Sequence, residues 1–240
     1  MARTAKEVKE GKEIVAESSS TISKDDRAAI EILKRSMNKK YGDGDQVFIT
    51  DYDMDLDGIP TGSAILDALI GNGGWAEGRV HEIHGQSGSG KSSVVTMTCV
   101  NALKKYPDKF ILYLDSEQAM NFRYMKMLGL DIENDERILF TQVNAAEEAF
   151  DIINNAIKTG AFSLIILDSI PAIQTKREMS GDFAQETMAE KARFLSKSIP
   201  QLLKPLKRAN TTLIFVNQVR DKMDLWGGMV TPGKLYKSTT

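Results

Sequence analysis

Apolar and polar residues alternate in blocks along residues 80–216, as short apolar runs separated by longer amphipathic stretches. The apolar runs predict strands at 80–83, 109–114, 137–142, 163–167 and 211–216. The stretches between them predict helices at 92–106, 122–128, 145–158 and about 187–209. Because Pro200 and Pro205 lie inside the last helix, we expect it to be kinked or to form two pieces. Strands that alternate with helices indicate an α/β fold, with a mostly parallel sheet flanked by helices.

The first 57 residues have a different pattern. Residues 1–22 are polar and rich in Lys and Glu, which predicts a flexible tail. An amphipathic helix is predicted over Lys24–Tyr41, and a short strand at 46–49 follows it. The apolar face of this helix consists of Ile30, Ile32, Leu33 and Met37. We therefore expect three parts: the tail, an N-terminal helix and strand at 23–57, and a core at 58–240.

The composition is that of an ordinary globular protein of 240 residues, with 27% charged and 42% hydrophobic residues. The single cysteine, Cys99, excludes an internal disulfide, and its apolar neighbours predict a packed thiol in the core. The N-terminus lacks the apolar run of a secretory signal, and no stretch reaches the roughly 20 apolar residues that span a membrane. These features predict a cytoplasmic protein without a membrane segment.

The net charge of −2 conceals a basic stretch. From Lys191 to Lys222 there are eight basic residues and a single acid, Asp221. Such a stretch is either the solvated face of a helix or a surface that binds nucleic acid, and charge alone favours neither. Its position beside the motifs described below favours nucleic acid.

Residues 85–92 have the sequence G-x-x-x-x-G-K-S, which is that of a phosphate-binding loop. A strand is predicted before the loop and a helix after it, so backbone N–H groups converge at the positive end of a helix. Lys91 can reach the β- and γ-phosphates of a nucleotide, and the Ser92 hydroxyl can ligate Mg²⁺. The residues expected to contact the nucleotide here are Gly85, Gln86, Ser87, Gly88, Ser89, Gly90, Lys91, Ser92 and Ser93. The chain is therefore predicted to bind a nucleoside triphosphate.

Polar side chains follow three other predicted strands, at the sheet edge where ligands bind in such folds. Asp168 can hold Mg²⁺, usually through water. Glu117 suits the general base that activates water in line with the γ-phosphate, and Gln218 can hydrogen-bond that phosphate. Each residue alone also fits a turn or a cap. Together with the phosphate loop and Lys91, they favour catalysis.

Several other segments between residues 24 and 233 carry a further signal: Gly58–Asp67, Gly73–Trp75, Gly78–Gly85, Leu114–Ala119, Leu128–Asp131, Leu167–Ser169 and Ile214–Arg220. With Tyr124, in this order and spacing, they closely resemble the bacterial RecA recombinases. The resemblance implies a P-loop NTPase core of the RecA type, with the helix and strand at 23–57 as its oligomerisation segment. It also implies that Tyr124 stacks on the adenine and that Asn121, where the family usually has Asp, lies near the base.

The resemblance also implies two DNA-binding loops, at about 176–188 and 219–232. Basic side chains there would bind phosphates, and apolar ones would stack on bases or wedge between them. The candidates are Lys176, Arg177, Met179, Phe183, Arg220, Lys222, Met223 and Trp226. The implied protein is a DNA-dependent ATPase that uses ATP and Mg²⁺. It would coat single-stranded DNA as a homo-oligomeric filament and pair it with double-stranded DNA in recombination and repair.

The sequence departs from the family pattern after Gly233, where the family continues with further strands and a small C-terminal domain. We expect a fragment, a truncated gene product or a chain interrupted by an inserted element, without full recombinase activity of its own. One alternative is a hexameric helicase, which shares this core and forms closed rings. Another is a remnant that binds nucleotide without turning it over. The resemblance of the helix at 24–41 to the oligomerisation segment favours filaments.

Overall fold

The computed structural model describes residues 24–42, 57–118, 120–179, 186–218, 220–221 and 229–230. By its internal contacts the chain divides into two compact units, residues 1–54 and 55–240. In the first unit, helix α1 (Lys24–Tyr41) has the predicted bounds. Acidic residues in its first turn and basic residues in its last turn stabilise the helix, because their charges are opposite to those of the helix dipole at each end. The predicted tail and the strand at 46–49 lie outside the described residues.

The second unit alternates strands and helices, as its sequence pattern predicts. Its strands are β1 (Gly58–Ile59), β2 (Trp75–Ala76), β3 (Val80–Gly85), β4 (Phe110–Asp115), β5 (Ile138–Gln142), β6 (Phe162–Asp168), β7 (Thr212–Gln218), β8 (Arg220–Asp221) and β9 (Met229–Val230). Its helices are α2 (Ala64–Ile70), α3 (Lys91–Lys105), α4 (Phe122–Met127), α5 (Ala146–Thr159), α6 (Lys176–Met179) and α7 (Glu186–Ala209). The five predicted core strands and four predicted helices are confirmed to within two residues at either end.

The main sheet has five parallel strands in the order β3-β7-β6-β4-β5. This confirms the predicted α/β class. Strand β6 lies in the middle of the sheet and is buried over its whole length, as its unbroken apolar run requires. Because the strands are parallel, their carboxyl ends lie along one edge, and that edge carries Asp168 and Gln218.

Helices cover both faces of the sheet, and each face has its own hydrophobic cluster. On one face, α5 and α7 pack against strand residues that include Leu213 and Phe215. On the other, α3 packs against the alternate residues, including Ile214 and Val216. Cys99 lies in this second cluster and is fully buried, which confirms the prediction of a packed core thiol. Burial in apolar surroundings also raises the pKa of its thiol well above the ordinary value.

Of the two alternatives predicted for the last helix, kinked or in two pieces, the two-piece helix is wrong. Helix α7 runs without interruption through Pro200 and Pro205. Ile199, Leu202 and Leu206 are buried against the sheet. This packing holds the helix together although each proline removes one backbone hydrogen bond. No helix in the described part of the chain is both long and apolar enough to cross a membrane.

Parts of the two segments predicted to bind DNA are regular structure and not loop. In the first segment, Lys176–Met179 forms helix α6, and helix α7 already begins at Glu186. A capping box explains α6, because Thr175 N–H donates to Glu178 Oε2 (2.7 Å) and Glu178 N–H donates to Thr175 Oγ1 (3.2 Å). In the second segment, β8 and β9 pair as antiparallel strands. Two other elements without a prediction, α2 and the antiparallel β1–β2 ladder, precede β3.

Candidate nucleotide-binding site

The phosphate-binding loop connects β3 to α3, as predicted. Gly88 and Gly90 have φ values of 75° and 87°, in the left-handed region that glycine adopts without strain. A Cβ atom at Gly85 would come within 2.7 Å of Ser89 Oγ, so a larger residue at the start of the loop would displace that side chain. Lys91 folds back over the loop, where its Nζ donates to the carbonyls of Gly85 (3.1 Å) and Gln86 (2.8 Å). The ammonium group therefore lies at the concave turn into which a polyphosphate would fit.

Asp168, at the carboxyl end of β6, is 5% exposed and lies beside the start of α3. Its Oδ2 accepts hydrogen bonds from Ser92 Oγ (3.1 Å) and from the Tyr113 hydroxyl (2.9 Å). Burial raises the pKa of Asp168 above its ordinary value, although these two hydrogen bonds oppose the change. A carboxylate and a hydroxyl thus meet where a hard cation beside a triphosphate would bind.

Asp115, the last residue of β4, shapes the turn that carries Glu117. Its Oδ1 accepts the backbone N–H groups of Glu117 (3.0 Å) and Gln118 (2.9 Å). Its Oδ2 is buried and has no hydrogen-bond partner among the described residues. Burial raises the pKa of this carboxyl as well. The site therefore contains a second buried carboxylate with an unsatisfied oxygen, which is the donor chemistry that suits a cation and its waters.

Glu117 is exposed, and hydrogen bonds from two other strand ends hold its carboxylate. Its Oε1 accepts from the Ser169 hydroxyl (2.6 Å) and from Gln218 Nε2. Ser169 is itself fixed by Ser116, whose Oγ donates to the Ser169 carbonyl (2.6 Å) and accepts its N–H (2.8 Å). The ends of β4, β6 and β7 are thereby connected through one carboxylate.

These residues share a cleft with a flat aromatic side chain. The cleft is lined by Ser92, Thr96, Asp115, Glu117, Met120, Asn121, Tyr124, Met125 and Asp168. Tyr124 is 45% exposed, so its ring is not packed in the hydrophobic core. Its hydroxyl is hydrogen-bonded to Ser93 Oγ of α3 (3.0 Å). Ser92, at the end of the phosphate-binding loop, and the ring of Tyr124 therefore line the same cleft.

The described residues contain no group of three or more His, Cys, Asp or Glu side chains that could hold a metal ion by themselves. Mg²⁺ keeps several waters and takes few protein ligands beside a nucleotide's phosphates. The hydroxyl of Ser92, the carboxylate of Asp168 and the unsatisfied oxygen of Asp115 therefore fit such an ion.

The structure brings the predicted hydrolytic residues together. Of the predicted DNA-binding residues, only half lie among the described residues. Lys176, Arg177 and Met179 lie on α6, where Met179 is 52% exposed and Arg177 Nη1 is 3.4 Å from Glu190 Oε2 of α7. The backbone of Arg220 lies on β8. Phe183, Lys222, Met223 and Trp226 are outside the described residues.

The basic stretch that begins at Lys191 includes at least one cation with a structural role. Lys191 Nζ donates to the carbonyls of Pro171 (3.1 Å) and Ile173, which follow β6. This contact attaches α7 to the segment that leaves the site. The sequence alone gives no sign of this role. The partners of Lys191 are backbone carbonyls, which every residue has, so the lysine counts only as surface charge.

Residues of the site without a sequence prediction include Tyr113, Asp115, Ser116 and Ser169. Tyr113 is fully buried in β4, and its ring reads as core in the sequence. Ser116 and Ser169 stand next to predicted acids, Glu117 and Asp168, and that adjacency was the available signal. Their role depends on β4 and β6 being neighbours in the sheet, which the local sequence pattern does not specify.

Comparison with known proteins agrees with this geometry. The family model of the RecA N-terminal domain matches residues 28–234. The chain is 33% identical over 202 residues to Protein RecA of Campylobacter lari, covering 84% of this chain and 57% of that protein. It is 32% identical over 200 residues to Protein RecA of Nautilia profundicola, covering 83% of this chain and 56% of that protein.

A third relative, Protein RecA of Acholeplasma laidlawii, is 31% identical over 208 residues, covering 85% of this chain and 61% of that protein. The chain thus spans between 56% and 61% of the length of these curated relatives. Together with the parallel sheet and the phosphate-binding loop, these matches show that the chain belongs to the RecA family.

Proposed function

We propose that this chain is the ATP-hydrolysing core of a DNA recombinase. The observation that carries the proposal is the position of Glu117, which lies in one cleft with Ser92 and Asp168 while Ser169 and Gln218 hold its carboxylate. An exposed carboxylate oriented by two hydrogen bonds, beside a phosphate-binding loop, is suited to activate water against a terminal phosphate.

The residues divide into binding and hydrolytic roles. The N–H groups of the loop and the Lys91 ammonium would bind the phosphates, and the exposed ring of Tyr124 would stack on the base. Glu117 would accept a proton from the attacking water as the bond between the β–γ bridging oxygen and the γ-phosphorus breaks. A magnesium ion held by Ser92 and Asp168 would supply charge neutralisation at the phosphates when bound.

Gln218 gives a route by which hydrolysis can be coupled to DNA. It ends β7, its Nε2 donates to Glu117, and its chain leads directly into β8 and the second segment expected to bind DNA. A γ-phosphate within reach of this amide would compete with Glu117 for its N–H groups, so the two states of the nucleotide would place Gln218 differently. We propose that this exchange links ATP to the affinity of a filament for single-stranded DNA, and that the filament pairs it with double-stranded DNA.

The proposal is tested by measuring phosphate release from ATP by this chain as single-stranded DNA is added, with DNA binding followed in parallel by fluorescence anisotropy. We expect the rate to rise with the fraction of bound DNA, and the Lys91→Ala variant to show only background release. A rate that stays constant while DNA saturates the protein would contradict the recombinase proposal. In electron micrographs of the ATP- and DNA-bound protein we expect helical filaments, and closed rings would instead indicate a helicase.

A further inference from the structure

Asn121 lines the proposed base-binding end of the cleft. Its Oδ1 accepts the backbone N–H of Tyr124 at 3.0 Å. A backbone N–H can only donate, so the atom facing it must be the carbonyl oxygen and not the NH₂ group. This contact therefore fixes the orientation of the amide, which is otherwise ambiguous for an asparagine.

The Nδ2 group of Asn121 consequently points away from that contact. It has no hydrogen-bond partner among the described residues, and the side chain is exposed. An amide NH₂ group carries two donors and no acceptor. The cleft therefore presents donors to a bound base at this position.

The other neutral polar side chain between the phosphate loop and Tyr124 is not available to a base. The Thr96 hydroxyl donates to the carbonyl of Ser92 at 2.7 Å, and the remaining neighbours on this side are Met120 and Met125. The acids that line the cleft belong to the phosphate end, where Asp168 and Asp115 are largely buried. Asn121 is thus the residue placed to contact the polar edge of a base that stacks on Tyr124.

We propose that Asn121 determines base selectivity and that the cleft accepts a purine with a carbonyl at C6 at least as well as adenine. An NH₂ donor complements the C6 carbonyl of hypoxanthine or guanine. Opposite the C6 amino group of adenine, it sets donor against donor, so the hydrogen bond to the substituent at C6 is lost. The proposal rests on the proposed function, since it requires the nucleotide to occupy this cleft.

An aspartate at position 121 should reverse the preference. One carboxylate oxygen would still accept the Tyr124 N–H, because Asp and Asn are comparable N-caps, so the local fold is retained. The second oxygen would replace the NH₂ group and would accept from the amino group of adenine. The added negative charge would weaken binding of every nucleotide, but it cancels in the ratio of two nucleotides with the same phosphates.

The test is the affinity for ADP and for IDP, which differ at C6 and the adjacent N1 and are not hydrolysed. Dissociation constants are measured by displacement of a fluorescent ADP analogue, in the presence of Mg²⁺. For the unmodified chain we expect IDP to bind at least as tightly as ADP. In Asn121→Asp we expect the preference for ADP over IDP to increase by about tenfold, the effect of exchanging one matched hydrogen bond for a mismatch.

Asn155→Asp is the matched control, because Asn155 is exposed on α5, on the opposite face of the sheet, and the substitution adds the same charge. It should leave the ratio unchanged. The inference is overturned if the unmodified chain binds ADP more tightly than IDP, or if Asn121→Asp leaves the ratio unchanged. If the unmodified chain displaces the probe with neither nucleotide, the proposed function itself fails. A chain that binds ADP with the wrong selectivity contradicts only the role of Asn121.

Discussion

The two ends of the cleft are built differently. At the phosphate end, Asp168 and Ser169 are buried and hydrogen-bonded to side chains from other elements. At the base end, Tyr124 is 45% exposed, and Asn121 makes its side-chain contact with the backbone of its own segment. The sheet therefore holds the groups at the phosphate end in fixed positions, whereas recognition of the base depends on a few exposed groups. Substitutions at the phosphate end should therefore impair nucleotide binding and hydrolysis more than substitutions at the base end.

Lys91→Ala is expected to have the largest effect on ATP binding. Removal of the ammonium takes away the charged donor at the phosphate loop, and hydrogen bonds to charged groups contribute about 1.5–3 kcal/mol each. We therefore expect an affinity for ATP lower by roughly 100-fold in calorimetric titrations. Lys104→Ala, an exposed lysine of the same helix, should bind ATP with unchanged affinity. Equal losses in the two variants would show that net charge, and not the loop, determines affinity.

Asp168→Asn should weaken Mg²⁺-dependent ATP binding by roughly 10- to 100-fold, the usual effect of removing a group that supports a metal. The same change should stabilise the nucleotide-free chain. Because the pKa of Asp168 is raised above 3.8 in the folded chain, its ionisation costs stability as the pH rises through and beyond that value. Below pH 3.8 the carboxyl is protonated in both states and the cost disappears.

Urea unfolding of both proteins over a range of pH provides the measurement of that cost. The stability advantage of Asp168→Asn should be close to zero at low pH and should grow towards neutral pH, where the buried carboxylate is charged. An advantage that is independent of pH would mean that Asp168 is ionised without penalty in the folded chain.

Ser169→Ala should reduce the rate of ATP hydrolysis by about tenfold, which is the value of one hydrogen bond to a charged group that positions the base. The substitution leaves Glu117 with the Gln218 contact and removes the Ser169 contact. ATP affinity should not change, because Ser169 does not touch the phosphate loop or Tyr124. Ser163→Ala, a buried serine at the other end of β6, controls for a general loss of stability and should hydrolyse ATP normally. Parallel losses in affinity and rate would contradict a positioning role.

Tyr124→Ala should weaken ATP binding less than Lys91→Ala, because it removes one stacking surface from the exposed end of the cleft. Base–aromatic stacking contributes about 1–3 kcal/mol by such substitutions, so we expect ATP affinity to fall by about tenfold. Tyr124→Phe keeps the ring and loses only the contact with Ser93, so it should bind almost as well as the unmodified chain. If Tyr124→Ala weakened binding as strongly as Lys91→Ala, the contrast between the two ends would be wrong.

The sequence was sufficient to predict the order of strands and helices in the core. Each apolar run is long enough to be a buried strand, and the amphipathic stretches between the runs have a clearly different pattern. It was also sufficient to place Asp168, Glu117 and Gln218 at one edge of the sheet, since parallel strands bring their carboxyl ends together. It did not predict the contacts among them. Glu117 and Gln218 are 101 residues apart, and their contact depends on the sheet order β3-β7-β6-β4-β5.

Two features of local structure were not fully specified by the sequence, for identifiable reasons. Helix α7 continues through its prolines because burial of one face against the sheet offsets the lost hydrogen bonds. Helix α6 is short and polar, so no hydrophobic period reveals it, although the capping pair Thr175 and Glu178 is visible in the sequence. In both cases a tertiary or capping contact outweighed the pattern of apolar residues.

The role of Glu117 is tested most directly by a single measurement: hydrolysis of pre-bound ATP in a single turnover by the unmodified chain and by Glu117→Gln, with single-stranded DNA present. The substitution keeps the shape of the side chain and the contacts at Oε1 but removes the base. We expect unchanged ATP affinity and a hydrolysis rate lower by at least about 100-fold, the lower range of general-base contributions. Equal rates in the two proteins would show that Glu117 does not activate the water.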